Sequence, residues 1–168
     1  MYFGRIRLKN YLMVLGLVLL DQIAKIIVFY TFPYNVSIPQ NNILSIHTIF
    51  NDYGNYMNAR WQVGYSQIFY IIINIMMILF LIGSYDSLSM KIKKHNLGKK
   101  YDILWCMLNA GILASIFDKV FWGHTLDFIS IKNFVIFDIK DFYYVSGICG
   151  LIILLFHSEF LEKYRKEL

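Results

Sequence analysis

Two aspartates, Asp118 and Asp141, are the residues best placed to do chemistry in this sequence. Each stands at the end of an apolar run that approaches the length of a membrane span, where an ionisable side chain is costly and is usually kept for function. Two carboxylates that converge from neighbouring helices can share one proton, and the ionised member can then deprotonate water while the other polarises a peptide carbonyl. The alternative is that both are ordinary interfacial acids at helix ends, where Asp141 would favour a helix N-terminus.

Asp21 and Lys25 form a second candidate pair, inside the first apolar run. They are four residues apart on one helical face, with the acid before the base, which is the favourable orientation for an ion pair. An ionisable pair within a span is a hypothesis for a functional site. The alternative is a structural pair that only orients the first helix.

The composition indicates the kind of scaffold that must position these groups. The chain has 168 residues, of which 58% are hydrophobic, and a mean hydropathy of +0.51, so it is predicted to be an integral membrane protein. Its length allows a single membrane domain over residues 1–168. We interpret the net charge of +5 as topology information and expect no nucleic-acid partner. The four histidines are isolated, so no metal site is expected.

Four apolar segments predict an all-α membrane protein with four transmembrane helices. Their approximate spans are 10–32, 66–84, 101–120 and 141–159. The first is interpreted as a span and not a signal peptide, because it contains Asp21 and Lys25 and no small-residue cleavage site follows it. The third and fourth have 15 and 17 uncharged residues between their bounding acids, so flanking residues must complete these spans.

The basic residues predict the orientation of the chain. Eleven of them lie at the termini and between segments two and three, whereas the other two loops, 33–65 and 119–142, hold four. The positive-inside rule therefore places both termini in the cytoplasm and both of these loops outside. Asp118 and Asp141 would then share the outer membrane boundary.

The outer loops contain two stretches that are rich in β-branched and aromatic residues, 43–50 and 126–137. Such composition favours short strands, here lying on the membrane surface. Small residues, including Gly111 and Ser115, precede Asp118 at helical spacing. They would allow close helix packing or leave a slot for a substrate helix.

The third segment and the loop after it read AGILASIFDKVFWGHTLDFI, and FDIKD follows ten to fourteen residues after Asp127. This order and spacing resembles the lipoprotein signal peptidase family, also called signal peptidase II. The family pattern is Gly-Gly-Ala-x-Gly-Asn-x-x-Asp-Arg, a Gly, Val-x-Asp-Phe and then Phe-Asn-x-Ala-Asp. The first segment contains DQIAK, which is similar to the family's Asp-Gln-x-x-Lys. The resemblance covers essentially the whole chain.

This resemblance implies an aspartyl membrane endopeptidase that removes the signal peptide of diacylglyceryl-modified prolipoproteins before the lipid-modified cysteine. It implies four membrane helices with a small extracytoplasmic β-rich cradle, contact with membrane lipid, no cofactor, and an active site at the outer face of the bacterial inner membrane. A monomer is expected. Asp118 and Asp141 match the catalytic aspartates. Positions that shape or support the site are matched by Asp21, Lys25, Gly111, Gly123, Asp127, Phe128 and Phe137.

The sequence also departs from the family pattern around these acids. Ser115 and Asp138 stand where the family has Asn, Lys119 replaces Arg, and Lys140 replaces Ala. The early Asn-x-Gly element is matched only by Asp52-Tyr53-Gly54. Lysine lacks the bidentate fork of arginine, and an added aspartate places negative charge near a pair of acids that resists it. We predict that Ser115, Lys119 and Asp138 line the same pocket as the two aspartates and change its substrate preference.

Two further interpretations remain open. The chain could be a non-catalytic or re-specialised paralogue of the same fold that binds lipopeptides or a membrane partner, which the altered Asn positions favour. It could also be a small transporter or channel component, but the second segment has no ionisable residue, which argues against a polar pathway along the bundle.

Overall fold

The computed structural model describes residues 6–41, 43–51, 65–93, 95–132 and 134–167. It contains four long helices and four short strands. The helices are α1 (Leu8–Thr31), α2 (Gln67–Lys93), α3 (Gly98–Phe117) and α4 (Ile139–Glu167), and a π-helical turn, Asp118–Trp122, continues α3. The strands are β1 (Ser37–Pro39), β2 (Leu44–Asn51), β3 (Thr125–Ile131) and β4 (Val135–Phe137).

All four helices are long and apolar enough to cross a bilayer, so the predicted four-helix membrane protein is confirmed. Large apolar side chains such as Leu19, Phe80 and Ile153 are exposed on their outer surfaces, as expected where a helix faces lipid. The third span has 25 residues, because it begins at Gly98 and the π-helical turn extends it to Trp122, beyond the bounding acid.

Helix α3 lies at the centre of the bundle and packs against the other three helices. The small-residue stripe makes this possible. A Cβ atom added at Gly111 would lie 2.9 Å from the Tyr144 amide nitrogen and 3.0 Å from the Lys140 carbonyl oxygen, so only glycine permits this approach of α3 to α4. A Cβ atom at Gly147, on α4, would meet the Leu108 amide nitrogen at 2.6 Å. The two glycines therefore bring the start of α4 beside the end of α3.

The strands form one antiparallel sheet in the order β1-β2-β3-β4. This confirms the strands predicted from residues 43–50 and 126–137. The β2–β3 pairing contains a register shift between Ile46 and Ile49 and then places Ile49 opposite Asp127. Because β3 follows the end of the third span and β4 leads directly into α4, the sheet joins the two helix ends that carry most of the acids.

Candidate active site

A buried cluster of opposite charges lies where α1, α3 and α4 meet. The Lys25 ammonium contacts Asp21 Oδ2 at 2.8 Å, Asp118 Oδ2 at 2.6 Å and Asp138 Oδ2 at 2.8 Å, and none of these side chains is exposed. The predicted pair of Asp21 and Lys25 is therefore present, within a larger network. Buried charges of this kind are tolerated only when they are paired and hydrogen-bonded.

Lys140 supplies a second ammonium to this cluster. Its Nζ contacts the Asp138 carboxylate and lies 3.2 Å from Asp118 Oδ2 and 3.9 Å from Asp141 Oδ1. Its backbone N–H donates to Asp21 Oδ1 at 2.9 Å, which ties the start of α4 to α1. Asp118 is thus held between two lysines, and Lys140 connects it to Asp141.

Gln22, the second residue of the DQIAK stretch, is a site residue to which the sequence alone assigns no role. Its side-chain amide donates to Asp118 Oδ1 at 2.8 Å and to Asp21 Oδ2 at 3.1 Å, and its oxygen accepts from the Trp122 indole N–H at 3.2 Å. A polar amide next to an acid within an apolar segment does indicate a site residue, because a buried polar side chain needs a partner. Gln22 connects the Asp118 carboxylate to the π-helical turn.

A second group of carboxylates lies at the junction of β3 and α4. One oxygen from each of Asp127, Asp138 and Asp141 lies within 4.8 Å of the others. Asp127 is 3% exposed, and among the residues that the structure describes its Oδ1 has no hydrogen-bond partner, whereas Oδ2 accepts from the Asn51 amide at 3.0 Å. The Asp141 side chain is 46% exposed. The group therefore combines a buried acid and an accessible one.

The start of α4 fixes Asp141 through a reciprocal pair of hydrogen bonds. The Asp141 N–H donates to Asp138 Oδ1 at 3.1 Å, and the Asp138 N–H donates to Asp141 Oδ2 at 3.3 Å. This is the geometry of a capping box, in which the first and fourth residues of a helix start satisfy each other's backbone donors. The DIKD sequence thus both begins the helix and sets the direction of the Asp141 carboxylate.

Burial and charge have opposite net effects on Asp127 and Asp138. Burial raises the pKa of Asp127 to about 7, although the nearby positive charge of Lys140 opposes this shift. Burial would also raise the pKa of Asp138, but Lys140 and Lys25 outweigh it and hold that pKa below its usual value. Asp127 is therefore suited to carry a proton near neutral pH, and Asp138 is suited to remain charged.

Ser115 and Lys119 form a small polar layer towards α2. The Lys119 ammonium donates to Ser115 Oγ at 2.8 Å and to its carbonyl oxygen at 3.3 Å, and it lies 5.6 Å from the centre of the Tyr70 ring. Asn74 donates its amide to Ser115 Oγ at 3.1 Å. Of the three residues predicted to line the pocket, Asp138 contacts the lysine cluster, and Ser115 and Lys119 contact each other. Their effect on substrate preference stays a prediction.

Four of the remaining predicted positions lie within the described residues. Gly123 ends the π-helical turn with a φ of +72°, a left-handed conformation that favours glycine. Gly111 lies at the close approach to Lys140 described above, and Phe128 is buried and Phe137 half-buried. Asp52 and Gly54 lie outside the described residues.

The acids thus separate into two groups that share Asp138. Asp21, Asp118 and Asp138 have oxygens within 4.8 Å of one another and could surround a cation, but the Lys25 ammonium contacts all three. Asp141 has an oxygen within 4.8 Å of oxygens of Asp127 and Asp138. The pairing of Asp118 with Asp141 stays a prediction, with Lys140 between the two carboxylates.

The sequence is similar to known proteins along most of its length. The chain matches the protein family described as signal peptidase (SPase) II over residues 13–157. The lipoprotein signal peptidase of Janthinobacterium sp. (strain Marseille) is 25% identical over 147 residues, which cover 85% of this chain and 82% of that protein. The lipoprotein signal peptidase of Ralstonia nicotianae (strain ATCC BAA-1114 / GMI1000) is 24% identical over 153 residues, or 89% of this chain and 82% of that protein.

Solved structures of two bacterial membrane enzymes share the fold. One superimposes with a TM-score of 0.72 at 23% identity and covers 90% of this chain and 89% of its own. The other has a TM-score of 0.69 at 24% identity, with 88% of this chain and 92% of its own covered. At these identities the likeness establishes the arrangement of the helices and the sheet.

Proposed function

Because this chain belongs to the signal peptidase II family, we propose that it is an aspartyl membrane endopeptidase that removes the signal peptides of prolipoproteins before the lipid-modified cysteine. Its membrane helices are suited to receive a substrate that is itself anchored in lipid. Its relatives are lipoprotein signal peptidases over most of their length, which supports the same class of substrate.

The observation that carries the aspartyl mechanism is the convergence of Asp127 and Asp141. Their oxygens approach within 4.8 Å, one carboxyl is buried with a pKa of about 7, and the other is accessible and faces the Lys140 ammonium. Acid–base catalysis requires one carboxyl group that carries a proton and one that is ionised, and different environments provide this by giving the two groups different pKa values. Asp118 is enclosed by Lys25, Lys140 and Gln22 and is better suited to orient the site.

The two carboxyls account for both steps of peptide hydrolysis. The Asp141 carboxylate takes a proton from water, whose oxygen bonds to the peptide carbonyl carbon, while the Asp127 carboxyl gives its proton to the carbonyl oxygen. In the second step Asp141 passes its proton to the amide nitrogen and the C–N bond breaks. The carboxylate of Asp127 recovers a proton from a hydroxyl of the intermediate, so both side chains return to their starting states.

We also propose that both termini lie in the cytoplasm of a bacterial cell and that the site faces the outer side of the inner membrane. The basic residues at the chain ends and between α2 and α3 support this orientation. The sheet and the second carboxylate group would then lie at the outer boundary, where a signal peptide emerges from the membrane.

Purified protein in lipid nanodiscs tests this proposal directly. We expect it to cleave a diacylated prolipoprotein, and we expect Asp127→Asn and Asp141→Asn each to abolish cleavage while the protein stays folded. Asparagine keeps the shape of each side chain and can still accept the bonds from Asn51 and Asp138. Glu159→Gln, at the opposite end of α4, serves as the matched control and should retain full activity.

Asp118→Asn decides between the two candidate pairs. If Asp118→Asn is inactive and Asp127→Asn retains full activity, the pair predicted from the sequence is correct and our assignment of Asp127 is wrong. If the wild type binds a diacylated prolipoprotein and does not cleave it, the non-catalytic paralogue is the better description.

A further inference from the structure

Lys140 lies beside the proposed catalytic acids but takes no part in the two steps of hydrolysis. Its side chain is 6% exposed, and its ammonium is the only positively charged group for which the described residues record a contact with Asp141. The same ammonium contacts Asp118 and Asp138, so it lies between the two carboxylate groups. A buried ammonium is costly, and beside the reacting acids its positive charge affects which of them is ionised.

The backbone around Lys140 is unusually constrained. Its N–H is held by Asp21 Oδ1, and its carbonyl oxygen lies 3.0 Å from where a Cβ of Gly111 would be. Lys140 also lies between Asp138 and Asp141 in the chain, and the hydrogen bonds of their capping box fix this turn. The backbone of Lys140 is therefore fixed against α1 and α3, and its ammonium lies beside Asp141 with Asp118 and Asp138 as its other contacts.

We propose that Lys140 is a positioning residue that keeps Asp141 ionised as the general base and thereby leaves the shared proton on Asp127. This inference rests on the proposed function, since it assigns the roles within that site. An opposite charge at about 4 Å strongly favours the ionised form of a carboxyl group. Without Lys140, less positive charge would offset the negative charge of Asp138 beside Asp141. Asp127 and Asp141 would then become more alike in their tendency to hold a proton.

The electrostatic setting of Lys140 includes groups from every element around it. The charged side chains that interact electrostatically with the Lys140 ammonium come from four elements. They are Asp21 and Lys25 on α1, Asp118 and Lys119 at the end of α3, Asp127 on β3, and Asp138 and Asp141 at the start of α4. Among them, Asp138 retains its contact with Lys25 when Lys140 is removed. Neutral substitutions at position 140 therefore leave Asp138 with a cationic partner, which favours folding.

The test is a pH–rate profile for four proteins, namely the wild type, Lys140→Arg, Lys140→Met and the double variant Asp138→Asn/Lys140→Ala. We expect the acidic limb to move to higher pH by about one to three units in Lys140→Met, the range by which a neighbouring opposite charge shifts a carboxyl group. Lys140→Arg keeps the charge and should keep the midpoint, whatever its maximal rate. The double variant removes one charge of each sign near Asp141 and should shift less than Lys140→Met.

A second readout does not depend on catalysis. Diazo reagents esterify carboxyl groups in their protonated form, and Asp141 is accessible enough to react. The pH midpoint for labelling of Asp141, measured by mass spectrometry, should rise in Lys140→Met and stay in place in Lys91→Met, which removes an exposed lysine remote from the site. An unchanged midpoint in folded Lys140→Met overturns the inference. An inactive wild type that shows the expected labelling shift would refute the proposed function and leave the electrostatic role of Lys140 standing.

Discussion

The Lys25 ammonium offers the sharpest test of the energetics of the buried cluster. Lys25→Met replaces it with an apolar side chain of similar length. The ammonium is fully buried and pairs with Asp21, Asp118 and Asp138 at 2.8, 2.6 and 2.8 Å. After the change, Lys140 is the only cationic partner of Asp118 and Asp138 among the described contacts. Asp21 then has no ammonium in contact with it among the described residues and keeps hydrogen bonds from the Gln22 amide and the Lys140 N–H. Removing one partner of a buried ion pair costs about 3–5 kcal/mol because an uncompensated charge remains. We expect a loss in that range in the free energy of unfolding.

Lys91→Met is the matched control, because it is the same substitution in an exposed ion pair. Lys91 contacts Glu159 at 2.8 Å with side chains 37% and 58% exposed, and such pairs contribute about 0–1 kcal/mol. The measurement is reversible unfolding in mixed micelles by titration with a denaturing detergent, followed by tryptophan fluorescence. If the two variants lose the same small amount of stability, the buried cluster does not hold the helices together and our reasoning about it is wrong.

Gly111→Ala should destabilise the protein by about 1–3 kcal/mol by overpacking against backbone atoms, whereas Gly16→Ala, with open space around the added methyl, should stabilise α1 slightly; the same unfolding titration measures both. Because folding raises the pKa of Asp127 to about 7, its contribution to stability is complete below about pH 4 and is lost as pH rises towards 7, by at most ~1.4 kcal/mol per pH unit. Asp127→Asn should remove that slope, and an unchanged slope would contradict the protonated state. Finally, reporter fusions at the C-terminus should indicate the cytoplasm and fusions within 33–65 the outside; the reverse result would overturn the orientation.

The helices and strands were predictable because each depends on a local pattern. Long apolar runs identify spans, and β-branched stretches between them identify strands. The contact of Asp21 with Lys25 was predictable for the same reason, since four residues on a helix return to one face. Span length was harder to predict, because the π-helical turn carries the third helix past Asp118.

The arrangement of the site was less predictable, because it depends on how separate elements pack. The sequence does not show that Lys140 turns between two groups of acids, since its direction depends on the close approach at Gly111 and on the capping box. Asp127 looked like an ordinary loop acid apart from the resemblance, and its burial results from the pairing of β2 with β3. The role of Gln22 is not visible in the sequence, because its partner Asp118 lies 96 residues away.

The π-helical turn at Asp118–Trp122 takes up one residue at the point where α3 leads into the sheet. A π turn contains one residue more than the α-helical turn it replaces. Deleting a single residue there would give an α-helical turn and leave the direction of the chain that follows nearly unchanged. The same deletion within the regular part of α3 would rotate everything that follows by about 100°, the angle per residue of an α-helix. Gly123 and the start of β3 would then leave their places, and Asp127 would lose its position opposite β2. A one-residue deletion in α3 should therefore be more harmful than one in the π-helical turn, because only the first changes the phase of the chain that delivers Asp127 to the site.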